Sequence, residues 1–161
     1  MIKEAAAPEK LYLDLLKKTL SYDLWPEPPY GLDGLNKYPM PLWERMLARF
    51  SRLISRFEPG IRIVKYLPVD PEKKNDGSTW PSFADTMIGR KRLDNLQYCV
   101  ETVIKDDVPG DLIETGVWRG GACIFMRAAL AAYGVGDRKI FVADSFRGLP
   151  EPDQASHPAD K

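Results

Sequence analysis

An α/β fold built on a parallel βαβ unit is what this sequence predicts, and three observations carry the prediction. Leu112-Ile113-Glu114-Thr115 is a short strand-like run that passes through the turn Gly116-Val117-Trp118-Arg119-Gly120-Gly121 into an apolar, helix-forming run from Ala122 to Ala132. Lys139-Ile140-Phe141-Val142-Ala143 is a second strand-like run, and it ends in Asp144-Ser145. The interval between Glu114 and Asp144 leaves room for one crossover helix over roughly Gly120 to Tyr133, with Gly134 and Gly136 to stop it.

The elements before this unit follow in order. Glu9 to Leu20 is a short amphipathic helix with Leu13, Leu16 and Leu20 on one face and Leu15 broadening it. Tyr22 to Pro41 is rich in Pro, Tyr and Gly and forms no regular element; it is either a lid over a substrate or a loop wrapped over the core through its aromatics. Leu42 to Phe57 is the clearest helix, with Trp43, Met46, Leu47, Phe50, Leu53, Ile54 and Phe57 at helical spacing. Its other face carries Arg45, Arg49, Arg52 and Arg56, which read as a solvated stripe. Gly60 ends that helix, Ile61 to Leu67 follows as a short strand, and Pro68 to Pro81 is an exposed loop. A helix then reaches Ile104 through Leu93, Leu96, Val100 and Val103. Its start has two readings: a capping box from Ser82 to Asp85, or a bend over Thr86 to Gly89 with the helix beginning near Arg90. Residues 1–81 are therefore expected to form a helical and irregular extension, and residues 82–161 the first part of the sheet domain.

Charge excludes more than it suggests. Lys and Arg number 23 against 23 Asp and Glu, so no global field attracts nucleic acid or an anionic membrane. No apolar run is long enough to span a bilayer and the first residues lack a signal peptide's apolar core, which points to a cytoplasmic protein. Cys99 and Cys123 form no C-x-x-C motif and read as buried free thiols.

The turn after the first core strand indicates its ligand. A dinucleotide turn has the pattern G-x-G-x-x-G, because a side chain at the middle glycine obstructs a pyrophosphate lying against the backbone. Here those positions are Gly116, Trp118 and Gly121, and Glu114 adds a carboxylate at the strand end. Both features disfavour phosphate and suit a cationic ligand. S-adenosylmethionine, with an ammonium, a sulfonium and no phosphate, fits better than NAD. Asp144, at the end of the second strand, can accept hydrogen bonds from both ribose hydroxyls, or it can merely cap its own loop. Trp118 is open to two readings, a core aromatic or a ring stacked near the adenosine.

The phrases Thr86-Met87-Ile88-Gly89, Arg92-Leu93-Asp94-Asn95-Leu96, Gly110 through Gly121 and Ala143-Asp144-Ser145-Phe146-Arg147-Gly148-Leu149-Pro150 resemble the macrocin O-methyltransferase family; the opening helix at Leu11 to Lys18 does too. That resemblance implies a Rossmann-like class I methyltransferase with a doubly wound sheet that acts on sugar hydroxyls in macrolide and aminocoumarin antibiotic biosynthesis, using S-adenosylmethionine and a divalent metal, usually magnesium. A domain of that type needs roughly 200 residues or more, so the chain is expected to be the front part of a longer protein that stops after its second core strand. By position, Glu114, Thr115, Gly116, Val117, Trp118 and Gly120 would line the methionine and adenosine side, and Asp144 would take the ribose. Ser145, Phe146, Arg147 and Gly148 would continue the wall beside the adenine, and Thr86 and Met87 would close the site. Arg147 departs from the acidic residue expected in many relatives. The family's metal-binding acids would lie beyond Lys161, so no metal ligand and no catalytic base is assigned in this chain. Asp106, Asp107, Asp153 and Asp160 read as solvated acids, and His157 as a weak candidate for acid–base work. The expected partner is a small hydroxyl-bearing substrate, a sugar or related natural product, with homo-oligomerisation left open. The readings that compete are a catalytically silent cofactor-binding or interaction fragment and, less favoured by Trp118 and Glu114, an NAD-dependent oxidoreductase.

Overall fold

The computed structural model describes residues 7–32, residues 41–148 and Ser156. Its elements run α1 (Pro8–Leu20), β1 (Tyr30–Gly31), α2 (Leu42–Phe57), β2 (Val64–Lys65), α3 (Pro71–Asp76), α4 (Gly89–Lys105), β3 (Leu112–Thr115), α5 (Gly121–Ala132) and β4 (Ile140–Ala143).

The β3–α5–β4 unit follows the sequence pattern closely. β3 and β4 pair in parallel with Leu112 opposite Ile140 and Thr115 opposite Ala143, so both strands end together at the turn and at Asp144. Such a parallel pair needs a crossover, and α5 supplies it. α5 buries Phe125, Met126, Ala129 and Leu130 because its alanines let neighbouring backbones approach from several sides. Leu13 and Leu20 of α1 and Leu93 and Val100 of α4 complete the same core. α1 therefore lies in the main core together with the sheet unit. Leu13 and Leu20 are buried as their spacing requires, whereas Leu15 points to solvent. Lys17 is buried on the inner face of α1, where its ammonium pairs with Asp94 and lies 5.6 Å from the Phe125 ring centroid. On the far side of the sheet, Ile113 and Phe141 are opposite each other and exposed, Ile113 to 63%.

α4 begins at Gly89, so the bend over Thr86 to Gly89 is the better of the two readings of its start. Pro68 to Pro81 is not a plain loop: α3 forms inside it. Its causes are local, with Asp70 accepting the N–H of Glu72 at 3.0 Å, Pro71 in the first turn and Gly77 as a left-handed C-cap. The signals were Asp-Pro at one end and Asp-Gly at the other, six residues apart. α3 backs onto the start of α4 so closely that a Cβ on Gly89 would lie 2.5 Å from the Gly77 nitrogen.

Two further expectations are corrected. The irregular stretch from Tyr22 contains β1, which pairs antiparallel with β2, a strand of two residues rather than the whole of Ile61 to Leu67; residues 33–40 of that stretch lie outside the described residues. Cys99 is exposed on α4, because the helix turns only Leu93 and Val100 fully inward, while Cys123 is buried and both thiols are free.

α2 spans the expected residues, and its arginine stripe is solvated. Its inward face, however, is Glu44, Ala48 and Ser51. The Ser51 hydroxyl accepts the Ile63 N–H at 3.0 Å and Glu44 pairs with Lys65, which holds α2 on the segment around β2 beside Leu32, Tyr30 and Leu67. Trp43, Met46, Phe50, Leu53 and Phe57 all face outward, Phe57 to 83%. Small residues and satisfied polar groups make the close contact, while the strongly apolar face is left uncovered by the described residues.

Candidate functional site

The end of β3 and the end of β4 meet at one edge of the sheet. The ladder continues one residue past β3 through Gly116, whose N–H donates to the Ala143 carbonyl at 2.9 Å. The chain then turns with φ of 87° at Gly116, 52° at Trp118 and 81° at Gly120. A left-handed backbone at a residue as large as tryptophan is strained by on the order of 1 kcal/mol or more and persists only where neighbours hold it.

Asp144 is one such neighbour. Its Oδ2 accepts the Val117 N–H at 2.7 Å and its Oδ1 accepts the Phe146 N–H at 2.9 Å. The backbone N–H groups of Phe146 and Val117 hold its carboxyl below the ordinary 3.8. Asp144 therefore caps its own loop and also ties that loop to the glycine turn. It is exposed, and two carboxylate oxygens have room for further donors.

Arg119 is the second neighbour. Its Nη1 donates to the carbonyls of Ser82 at 2.6 Å and Ala84 at 2.8 Å, and its guanidinium carbon lies 4.4 Å from the Trp118 ring centroid. Trp80 meets the other part of Trp118 edge-on, with centroids 6.3 Å apart. Trp118 is 42% exposed, which excludes the core-aromatic reading. Its ring stands at the surface between Trp80 and Arg119.

At the start of α5, part of the usual anion-binding capacity is already taken up within the protein. Helix N-termini bind anions through free N–H groups. Here the N–H of Gly121 donates to the Asp85 carbonyl at 3.1 Å, so an oxygen already sits over the helix start. That contact demands glycine: a Cβ at Gly121 would lie 2.4 Å from the Asp85 oxygen and 2.7 Å from the Thr86 Cβ. Gly121 is thus a packing glycine, and the approach it permits brings buried Thr86 to the turn. The Thr86 hydroxyl accepts the Ile88 N–H at 3.3 Å, which shapes the bend before α4.

Glu114, half-buried near the end of β3, receives a hydrogen bond from the Cys123 thiol, 2.9 Å from Sγ to Oε2. Burial first, and then the adjacent carboxylate, push that thiol up to about 11. Beyond β4, the Ser145 hydroxyl donates to the Gly148 carbonyl at 3.2 Å and accepts the Arg147 N–H at 3.3 Å, so residues 145–148 form a turn that Asp144 caps. Phe146 in that turn has φ of 52° and is exposed.

The expected residues are therefore brought together unequally. Glu114, Thr115, Gly116, Val117, Trp118, Gly120 and Asp144 form one edge, Thr86 joins it through Gly121, and Met87 is half-buried on the adjoining bend. Ser145, Phe146, Arg147 and Gly148 stand beside the edge, bonded to one another and, through Phe146 and Ser145, to Asp144. Sequence reasoning missed Arg119, Trp80 and the Asp85 carbonyl. Arg119 lay inside the turn phrase, but nothing local says that its guanidinium reaches back to residues 82 and 84. Among the described residues no three His, Cys, Asp or Glu side chains gather where they could hold a metal ion. Asp106 and Asp107 follow α4 and are exposed, and Asp153, His157 and Asp160 lie outside the described residues. No helix among the described residues is long and apolar enough to cross a membrane.

Comparison with known proteins identifies the family of the chain. The family model described as Macrocin-O-methyltransferase (TylF) matches residues 9–161. The demethyldecarbamoylnovobiocin O-methyltransferase of Streptomyces niveus is 40% identical over 159 residues, 99% of this chain and 50% of that protein. An 8-demethyl-8-(2,3-dimethoxy-alpha-L-rhamnosyl)-tetracenomycin-C 4'-O-methyltransferase of Streptomyces olivaceus is 61% identical over 92 residues, 57% of this chain and 35% of that one. The mycinamicin III 3''-O-methyltransferase of Micromonospora griseorubida is 57% identical over 89 residues, 55% of this chain and 35% of that one. The solved structure of the O-methyltransferase NovP superposes with a TM-score of 0.62 at 40% identity, covering 89% of this chain and 45% of NovP. The chain thus spans half or less of the length of these relatives. Its α/β fold is that of the matching part of a methyltransferase, and the chain belongs to the macrocin-O-methyltransferase (TylF) family.

Proposed function

We propose that this chain carries the cofactor-binding part of an S-adenosylmethionine-dependent O-methyltransferase whose acceptor is a hydroxyl on a sugar or related natural product. The observation that carries the reading is the edge formed by Glu114, the turn through Trp118 and Asp144, with the Gly121 N–H at the α5 start already bonded to the Asp85 carbonyl. Family membership supports the reaction type, and the relatives named above are O-methyltransferases by name.

The residues present fit this cofactor. Glu114 offers a carboxylate for the ammonium, Asp144 has acceptor capacity for ribose hydroxyls, and a Cβ at Gly116 would meet nothing within 4 Å, so the surface beside the turn is open. When bound, the cofactor supplies a methyl group on a sulfonium for in-line transfer to an oxygen. What this chain contributes is position: the Asp144–Val117 bond and the Arg119 contacts hold the turn in its strained shape before any ligand arrives, which reduces the cost of ordering on binding. A divalent metal belongs to the family's expected chemistry, but the described residues present no matching donor set, and no step is derived through one. A cytoplasmic location is part of the same reading.

Calorimetric titration with S-adenosylmethionine tests it. Binding in the micromolar range, weakened by Asp144→Ala and with no binding of NAD, is the expected result. Binding of NAD in preference to S-adenosylmethionine would overturn the reading.

A further inference from the structure

We propose that Cys123 is a positioning residue that fixes the Glu114 carboxylate toward the amino-acid end of the cofactor; this rests on the cofactor reading above. The two residues lie on different elements, one near the end of β3 and one in the first turn of α5. They meet at 2.9 Å between Sγ and Oε2. An ionised carboxylate only accepts, so the thiol must be the donor and must keep its proton. Cys123 is buried, and its thiol is held protonated at physiological pH by that burial and by Glu114 itself.

A glutamate has three rotatable side-chain torsions, and a ligand that must freeze them loses affinity in doing so. Among the described residues no lysine or arginine pairs with Glu114, so the thiol is its polar anchor there. Oε2 accepts the hydrogen bond from the thiol, and Oε1 is left to accept from a cation. A weak neutral donor suits this task, because a lysine in its place would neutralise the carboxylate that the ammonium requires.

The experiment compares two probes that share an adenosine thioether and differ in the amino-acid end, S-adenosylhomocysteine and 5′-methylthioadenosine. Affinities are measured by calorimetry on the whole chain and on Cys123→Ala, Cys123→Ser, Glu114→Gln and the Cys123→Ala/Glu114→Gln double variant, with circular dichroism confirming the fold of each. Cys123→Ala is expected to weaken S-adenosylhomocysteine by about three- to tenfold, the scale of one hydrogen bond, and to leave 5′-methylthioadenosine unchanged. Cys123→Ser, which keeps a donor, is expected to retain affinity within about twofold. Once Glu114 is Gln, removing the thiol is expected to cost nothing more. Equal weakening of both probes, or no effect of Cys123→Ala, would overturn the positioning role while leaving the cofactor reading intact. Failure of the parent chain to bind either probe would overturn the cofactor reading and this proposal with it.

Discussion

The Oδ2 of Asp144 accepts the backbone N–H of Val117 at 2.7 Å, and this one bond joins the end of β4 to the turn after β3. Because the carboxyl is held below its ordinary 3.8 by the N–H groups of Phe146 and Val117, the folded state favours the ionised form. Its contribution to stability is complete above that ordinary value and is lost as pH falls through the lower folded value. Protection of the Val117 amide against exchange, taken relative to the intrinsic rate at each pH, should fall in that acid range. Asp144→Asn should flatten this response, and an unchanged acid profile in the variant would assign the effect elsewhere.

Gly121→Ala should destabilise the protein even though alanine is the better helix former. The added Cβ would sit 2.4 Å from the Asp85 oxygen, a backbone atom that cannot swing away. A cost of about 1–3 kcal/mol is expected from such overpacking. Urea unfolding measures it, and a midpoint at or above the parent's would refute the close contact.

Arg119→Ala should loosen residues 82–86 without unfolding the core. It removes the donor to the Ser82 and Ala84 carbonyls and the cation beside Trp118. Hydrogen exchange in that segment should rise by about three- to tenfold, and the near-ultraviolet signal of the Trp80–Trp118 pair should change. Arg119→Lys should fall between, since a lysine cannot reproduce the planar fork.

The two cysteines should differ sharply toward iodoacetamide. Cys99 is exposed, whereas Cys123 is buried with its thiol pushed up to about 11. Mass spectrometry at about pH 8 should show rapid single labelling at Cys99, and labelling of Cys123 only after denaturation.

On α2 the ordinary rule for a helix face is inverted, and substitutions should show it. Phe57→Ser should alter stability by no more than about 0.5 kcal/mol, because the ring is exposed. Ala48→Leu, at a buried small residue, should cost about 1–3 kcal/mol. The reverse order in thermal unfolding would place the apolar face in a packed interface.

Why some of this was legible in the sequence and some was not follows from the range of the forces involved. The β3–α5–β4 unit was readable because its period, its glycines and its Asp144 are local signals, and the parallel register then aligned Thr115 with Ala143. α3 is equally local, marked by Asp70-Pro71 and Gly77, but a polar, proline-containing stretch has no apolar periodicity that distinguishes so short a helix from a loop. The orientation of α2 was not readable at all. Its apolar stripe is the strongest periodic signal in the chain, yet the contact that seats it is made by Ser51 with Ile63 and Glu44 with Lys65, residues 12 and 21 apart.

By itself, then, the sequence determined the βαβ unit, the identity of the turn and the kinship those phrases carry, because each depends on neighbours along the chain. Tertiary structure alone decided that the Asp85 carbonyl takes the Gly121 N–H, that Arg119 holds the segment before α4, that Cys123 meets Glu114, and that α2 turns its small polar face inward. Each of those is a contact between elements, set by which backbones can approach and which polar groups must find a partner once water is excluded.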